Sequence, residues 1–199
     1  MIYFKKIFCF CAPLVFISAA FLFFIDNGFA CSRVMSANNG QAVLVGRNMD
    51  WPENVDSALW FLPKGIKRSG LNGGNAAVWS AKYSSIITAS SVKGQSFAAD
   101  GINEKGLEAN LLWLNESDYG KRDESRPGLS IALWAQYILD NFSTVEEAVQ
   151  AVKQEKIQIV DVNIPMYIPT VGTTITKASL HLALADKTGD SAIIEYING

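Results

Sequence analysis

After residue 30, apolar and polar residues alternate along most of the first half of the chain, which is typical of β-strands with one buried face. The turn Asn38-Asn39-Gly40 separates two such runs, and Asn-Gly between alternating segments is a strong signal for a β-hairpin. The strands predicted in this half are Cys31–Ser36, Ala42–Met49, Ala58–Leu62, one bent or two separate strands within Ala76–Ser91, Phe97–Ala99 and Gly106–Leu114.

The period then changes to that of a helix. Apolar residues recur at helical spacing over Leu129–Asn141, which predicts a first helix after the charged connection Asp118–Arg126. Ser143 and Glu146 have the spacing of a capping box, with Ser143 as the N-cap of a second helix that ends near Lys153. Further strands are predicted at Ile157–Val162, Leu180–Ala185 and Ser191–Tyr196.

Strands, a helical pair and strands again predict an α+β fold with layered packing. The pattern contains no alternation of single strands and helices, and it contains no glycine-rich phosphate loop. A chain of this length is expected to form one domain around one core. Trp113 and Trp134 are interpreted as core residues.

The first thirty residues have the three parts of a secretory signal. Lys5 and Lys6 precede an uncharged, mostly apolar run from Ile7 to Ile25, and small residues stand three and one positions before Cys31. We therefore predict a signal peptide at residues 1–30, export to the periplasm or the medium, and a mature domain at residues 31–199. The run of 19 residues is also nearly long enough to span a bilayer, so a retained membrane anchor is the alternative.

Charge and composition exclude several classes of partner. The chain carries 17 basic and 19 acidic residues without a basic block, which argues against nucleic acid. No later segment is apolar enough to span a membrane, so contact with the membrane is expected only through the signal segment. The single histidine, His181, is interpreted as a packing residue of a strand, and a metal site of clustered His and Cys is excluded. No cofactor is expected.

Cleavage before Cys31 would leave it as the first residue and only cysteine of the mature chain. Such a cysteine is a reactive thiol, a lipid attachment point or an inert residue. An α-amine titrates near ~7.7–8.0 and a thiol near ~8.5, so the terminal amine can serve as the base for its own side chain. This arrangement activates a nucleophile without histidine.

The second predicted strand ends in Arg47-Asn48-Met49-Asp50, across the hairpin from Cys31. Arg47 and Asn48 should face opposite sides of the sheet. The charge of Arg47 could lower the thiol pKa, and Asp50 could orient the terminal ammonium. The alternative is a surface Arg–Asp pair. Trp51 could form an aromatic wall for a substrate, and Trp113 is the second candidate substrate-binding residue.

These residues carry a family resemblance. Cys31 after its small-x-small site, Gly46-Arg47-Asn48-Met49-Asp50-Trp51, the run from Asp100 to Leu107, and Ala185–Asp190 followed by Ile194-Glu195-Tyr196 together resemble the choloylglycine hydrolase and penicillin V acylase family. The resemblance covers essentially all of residues 31–199.

The resemblance implies an N-terminal-nucleophile hydrolase with an αββα sandwich that cleaves a linear amide in a bile salt, penicillin V or another N-acyl amide. It implies Cys31 as the nucleophile, Arg47 and Asp50 as supporting charges, and the main-chain amide near Trp113 as an oxyanion donor. The expected partner is therefore a small amide substrate, and a homo-oligomer is also consistent with the sequence.

Family members continue beyond the last residue of this chain. The resemblance places an asparagine of the oxyanion hole, an active-site arginine and further strands in that part, so we expect a sandwich that is incomplete at its C-terminus and weak activity. The alternatives are a lipoprotein or binding protein with Cys31 acylated, for which Gly28 stands where a leucine is usual, and an inactive remnant.

Overall fold

The structure is a computed structural model that describes residues 31–51, 54–92, 95–168 and 171–198. The predicted signal peptide at residues 1–30 lies outside the described residues. The strands are β1 Ser32–Ser36, β2 Leu44–Asn48, β3 Ala58–Leu62, β4 Lys67–Ser69, β5 Val78–Ser80, β6 Ser85–Val92, β7 Gln95–Asn103, β8 Glu108–Trp113, β9 Gly128–Ser130, β10 Gln158–Val160, β11 Asn163–Ile168, β12 Gly172–Lys177, β13 Leu180–Ala185 and β14 Ser191–Ile194. The helices are α1 Trp134–Asn141 and α2 Val145–Lys153, and a 3₁₀ turn at Ile131–Leu133 precedes α1.

Six strands form one antiparallel sheet in the order β14-β13-β8-β7-β6-β3. Alternation along the strands gives this sheet two different faces. Ile87, Gly101 and Ala109 lie in one row across β6, β7 and β8 and face α1. A Cβ atom on Gly101 would lie 2.6 Å from Leu139 Cδ1, so a glycine is needed for helix and sheet to approach this closely.

The hairpin β1–β2 lies over the opposite face of the sheet. Its register pairs Arg33 directly with Arg47, and both side chains reach down to β7 and β8. Like charges opposite each other destabilise a strand pair unless acidic groups compensate them, and Asp100 and Glu108 of the sheet do so. Helices, six-stranded sheet and hairpin form successive layers, as expected for the predicted N-terminal-nucleophile hydrolase fold.

Several predicted elements are confirmed. Strand β3 has the predicted bounds, and the region Ala76–Ser91 contains two strands rather than one bent strand. Phe97–Ala99 is the middle of a longer strand, β7. Trp134 is a core residue with 1 % exposure, as predicted.

The predicted first helix over Leu129–Asn141 is wrong in its first half. Gly128–Ser130 is strand β9, which pairs in parallel with β10, and the chain becomes α-helical only at Trp134. Leu129 and Ile131 are fully buried in the core, so their apolar spacing reflects burial in a strand and a turn. The Ser130 side chain accepts from the amide of Ala132 and starts the 3₁₀ turn.

The predicted capping box is shifted by one residue. Thr144, not Ser143, is the N-cap of α2, and its side chain accepts from the amide of Glu147. The Glu147 carboxylate accepts from both the amide and the hydroxyl of Ser143 at 2.8 Å. The sequence Ser143-Thr144 offers two adjacent caps, and the helix uses the second. Strand β4 and the hairpin β11–β12 were not predicted.

Candidate functional site

The six-stranded sheet separates between its two central strands. Strands β7 and β8 pair only from Ile102 with Glu108 to Asp100 with Asn110. Beyond Asp100, β7 continues along β6 with Ala99 as an extra residue, whereas β8 continues along β13. The two strands therefore diverge, and a pocket opens between them.

This pocket has a volume of about 730 Å³ including its mouth. Its walls come from the hairpin β1–β2, the diverging strands, the 3₁₀ turn and the segments around β11 and β13. The lining residues are Cys31, Arg47, Met49, Trp51, Val55, Ser96, Phe97, Leu111, Trp113, Ile131, Ala132, Val162, Ile164, Ala178 and Leu180. Apart from Cys31, Arg47 and Ser96 these side chains are apolar, which suits a ligand with a largely apolar body.

Cys31 lies in the wall of this pocket, immediately before β1. Its thiol is free and half-buried. Because Ser32 pairs with Asn48, the register places Met49 across from Cys31 and brings the end of β2 to the cysteine, as the hairpin prediction required. The alternation of exposure along β2 turns Arg47 inward and Asn48 outward, which confirms that they face opposite sides.

Arg47 is held at the point where β7 and β8 separate. Its side chain is 9 % exposed. Nη1 donates to Asp100 Oδ2 at 3.2 Å, and Nη2 donates to the carbonyl of Leu111 at 2.8 Å. Within the part of the chain that the structure describes, Nε has no hydrogen-bond partner, although it is buried. The surface Arg–Asp pair considered from the sequence is therefore not what Arg47 forms.

Asp100 belongs to a polar chain beneath the hairpin. Its second oxygen, Oδ1, accepts from Asn110 Nδ2 at 2.8 Å, and Asn110 Oδ1 accepts from Arg33 Nε at 2.6 Å. Arg33 also pairs with Glu108 at 2.9 Å. Burial raises the pKa values of the Asp100 and Glu108 carboxyls, although their arginine partners oppose that rise.

Asp50 lies on the exposed side of the hairpin end. Both of its oxygens accept from Asn48 Nδ2, at 3.1 and 3.2 Å. Asn48 Oδ1 accepts from the amide of Ser32 at 2.8 Å. Asp50 is thus linked through Asn48 to Ser32, the residue that follows Cys31. The sequence also predicted a position for Asp50 near Cys31, across the hairpin.

Trp51 and Trp113 contact each other in the pocket wall. Their ring centroids are 5.5 Å apart at an interplanar angle of 59°. Trp51 therefore lines the pocket, and its role as an aromatic wall for a substrate stays a prediction. Trp113 is only half-buried and lines the pocket, so its interpretation as a core residue is wrong, and its expected role in substrate binding stays a prediction.

The main-chain amide of Trp113 points away from β13. The amide of Leu114 bonds to the carbonyl of Ser179, so Trp113 and Leu180 form a pair without mutual hydrogen bonds. The amide of Trp113 then lies on the same side of β8 as the carbonyl of Leu111, where the strands have separated and Arg47 is bound.

Sequence reasoning missed Asp100 and Asn110 as parts of the site. Asp100 begins one of the motifs that carry the family resemblance, but no local pattern marks it as a partner of Arg47. The sequence does carry a signal for Asn110, because Glu108 and Asn110 are polar residues on one face of the otherwise apolar strand β8. Polar residues at alternate positions of a buried strand indicate a paired polar cluster.

His181 lies on β13, paired with Leu112, outside the pocket wall. Burial lowers its pKa, whereas the charge of Glu195 raises it. Among residues 31–51, 54–92, 95–168 and 171–198, no group of three or more His, Cys, Asp or Glu side chains is placed to hold a metal ion. Helices in those same ranges are too short or too polar to cross a membrane.

Comparison with known proteins gives concordant matches. A family model described as linear amide C–N hydrolases, choloylglycine hydrolase family, matches residues 31–199. A penicillin V acylase of Pectobacterium atrosepticum is 44 % identical over 176 residues, which are 85 % of this chain and 45 % of that protein. A bile salt hydrolase/transferase of Clostridium perfringens is 32 % identical over 154 residues, 76 % of this chain and 44 % of that protein.

The solved structure of penicillin V acylase from Agrobacterium tumefaciens superposes with a TM-score of 0.70 at 44 % identity, covering 84 % of this chain and 47 % of that one. The chain thus spans a little under half the length of the relatives it matches.

Proposed function

The chain belongs to the choloylglycine hydrolase family of linear amide C–N hydrolases, and from this premise we propose that it cleaves a small N-acyl amide with Cys31 as the nucleophile. The observation that carries the proposal is the shared position of Cys31 and the buried Arg47 in the wall of one apolar pocket. Penicillin V and conjugated bile salts, the compounds named for its relatives, are the candidate substrates.

The reaction begins with the thiolate of Cys31. In the proposed mature chain, the free α-amino group of Cys31 takes the thiol proton, and the sulfur attacks the amide carbonyl. The developing oxyanion is stabilised by main-chain donors, for which the amide of Trp113 is the candidate on this chain. The C–N bond then breaks, the amine leaves with the proton held by the ammonium group, and a thioester remains on Cys31. Water hydrolyses this thioester and releases the acid.

Arg47 and Asp50 support this step from two sides. The fixed positive charge of Arg47 at the pocket wall favours the thiolate over the thiol. Asp50 is linked through Asn48 to the start of β1. In the proposed reaction its carboxylate attracts the terminal ammonium. The apolar walls, with Trp51 and Trp113 in contact, accommodate the acyl group.

The proposal requires processing before Cys31, because only then does the nucleophile carry a free amine. We therefore propose that residues 1–30 are removed during export. Mass spectrometry of the exported protein should give a chain that starts at Cys31 without an added lipid. The family match gives no support to the lipoprotein alternative, in which acylation would block both the amine and the thiol.

Turnover tests the proposed function directly. Penicillin V and glycocholate should each be incubated with the protein, and the released amine or acid measured by chromatography. We expect hydrolysis of at least one of them, and a loss of at least ~10³-fold in kcat for Cys31→Ala, because the covalent step is then abolished. A Cys31→Ala variant that hydrolyses as fast as the parent protein would refute Cys31 as the nucleophile.

A further inference from the structure

We propose that Asp100 is a positioning residue for the active site, which acts by holding the Arg47 guanidinium at the point where β7 and β8 separate. The inference rests on the proposed function of Cys31 and Arg47. It adds a residue that does not itself line the pocket but bonds to Arg47, which does, and so determines where the positive charge lies.

The Arg47 guanidinium is anchored at both of its terminal nitrogens. Nη1 donates to Asp100 on β7 and Nη2 donates to the carbonyl of Leu111 on β8. These two acceptors belong to the strands that separate here, so the guanidinium spans the opening of the sheet. Two anchors fix the guanidinium plane, whereas one anchor would leave the group free to rotate about it.

The carboxylate of Asp100 is needed in its ionised form because both oxygens are in use by different donors. Oδ2 accepts from Arg47 and Oδ1 accepts from Asn110 Nδ2. Asn110 cannot turn its amide to release this bond, since its own oxygen accepts from Arg33 Nε. An asparagine at position 100 has only one acceptor oxygen. It would place its NH₂ group against either Asn110 or Arg47.

Glu108 offers a matched comparison in the same polar chain. Its Oε2 accepts from Nη2 of the other arginine of the hairpin, Arg33, at 2.9 Å. A glutamine at this position keeps an acceptor oxygen for Arg33 Nη2. Glu108→Gln therefore removes one carboxylate charge beneath the same hairpin while leaving the anchors of Arg47 in place.

The test is a double-mutant cycle read by the alkylation of Cys31. The rate of reaction with iodoacetamide at pH 7 is followed by mass spectrometry of the Cys31 peptide, which requires no turnover. We expect Arg47→Ala to slow alkylation about tenfold, because the positive charge that favours the thiolate is lost. Asp100→Asn should slow it at least threefold. The double variant should be no slower than Arg47→Ala alone, because Asp100 acts only through Arg47.

Glu108→Gln should alkylate at the parent rate, and thermal unfolding should show that all four variants are folded. An unchanged rate in Asp100→Asn, or a double variant slower by the product of both single effects, would overturn the inference while leaving Arg47 in the site. Equal slowing by Glu108→Gln would also overturn it, because the effect would then be general anchoring of the hairpin. If Arg47→Ala itself leaves the rate unchanged, the proposed role of Arg47 fails instead.

Discussion

Asp140 is fully buried, yet its carboxylate is surrounded by donors from three elements. Arg68 Nε on β4 and Trp79 Nε1 on β5 donate to Oδ2 at 2.8 and 2.7 Å, and Gln136 Nε2 on α1 donates to Oδ1 at 2.7 Å. A buried charge is tolerated only where such partners replace water. This cluster ties the short hairpin β4–β5 to the helix layer.

Removing the carboxylate takes the acceptor from Arg68 Nε and Trp79 Nε1, and it leaves Gln136 Nε2 with only Ser85 Oγ. We expect Asp140→Ala to lower the free energy of unfolding by about 3–5 kcal/mol, the range found when one partner of a buried pair is removed. Urea denaturation followed by tryptophan fluorescence measures this loss. Asp118→Ala serves as the control, because Asp118 is exposed, and should change stability by no more than about 0.5 kcal/mol. A similar small loss for both variants would contradict the importance of the buried cluster.

Between elements, the turn from β13 to β14 caps the second helix. Asp186 is 4 % exposed, and its Oδ2 accepts from the amide of Val145, the first residue of α2. Oδ1 accepts from the amide of Thr188 within the turn at 2.9 Å. The family motif Ala185–Asp190 thus has a structural role, which is to join the sheet edge to the start of a helix.

Asp186→Ala should therefore destabilise the fold by about 1–2 kcal/mol, the cost of losing a helix cap. Burial raises the Asp186 pKa, but hydrogen bonds from Thr188 and Val145 outweigh it, so the net pKa lies below 3.8. A lowered folded-state pKa stabilises the protein above pH 3.8 and loses that effect as pH falls through the folded-state value. The stability difference between parent and variant should shrink accordingly below pH 3.8.

Denaturation at pH 7 and at pH 3 measures both effects in one series. Asp190→Ala is the matched control, because Asp190 lies in the same turn but is exposed. We expect a change of no more than about 0.5 kcal/mol for this variant. A difference between parent and Asp186→Ala that is constant across this pH range would argue against the capping carboxylate.

For the molecule as a whole, the two faces of the six-stranded sheet are unequally covered. The helices bury one face, whereas the hairpin β1–β2 covers only part of the other. Phe61, Ile86 and Ile102 form a row across β3, β6 and β7 on this second face and are 67 %, 50 % and 48 % exposed. A contiguous apolar row of this kind binds apolar partners or promotes association.

Polar substitution of this row should reduce both the binding of apolar partners and self-association. We expect Phe61→Ser combined with Ile86→Thr to lower fluorescence of a hydrophobic dye and to reduce self-association in analytical ultracentrifugation. Thermal stability should be nearly unchanged, because exposed substitutions typically alter it by less than about 0.5 kcal/mol each. The control is Ile175→Thr, whose side chain is 71 % exposed on β12, a strand of a separate two-stranded sheet. Equal effects of control and double variant would show that the row has no special role.

Local patterns in the sequence determined much of this architecture. Alternation in β1, β2 and β13 predicted strands, and it predicted that Arg47 and Asn48 face opposite sides, because a strand repeats every two residues whatever lies around it. The order of strands, helices and strands gave the α+β class for the same reason. The position of Cys31 against the end of β2 followed from one short hairpin turn.

Tertiary structure alone determined the conformation of segments whose local pattern is ambiguous. It also determined the contacts between residues that are distant in the chain. Leu129 and Ile131 have helical spacing, but parallel pairing of β9 with β10 overrides that preference. Arg47 meets Asp100 across 53 residues and Leu111 across 64, and no local period encodes such a meeting. The pocket exists because β7 and β8 pair with different neighbouring strands beyond Asp100. This pairing depends on the packing of the whole sheet. The residue types of the site could therefore be predicted from the sequence, whereas its geometry could not.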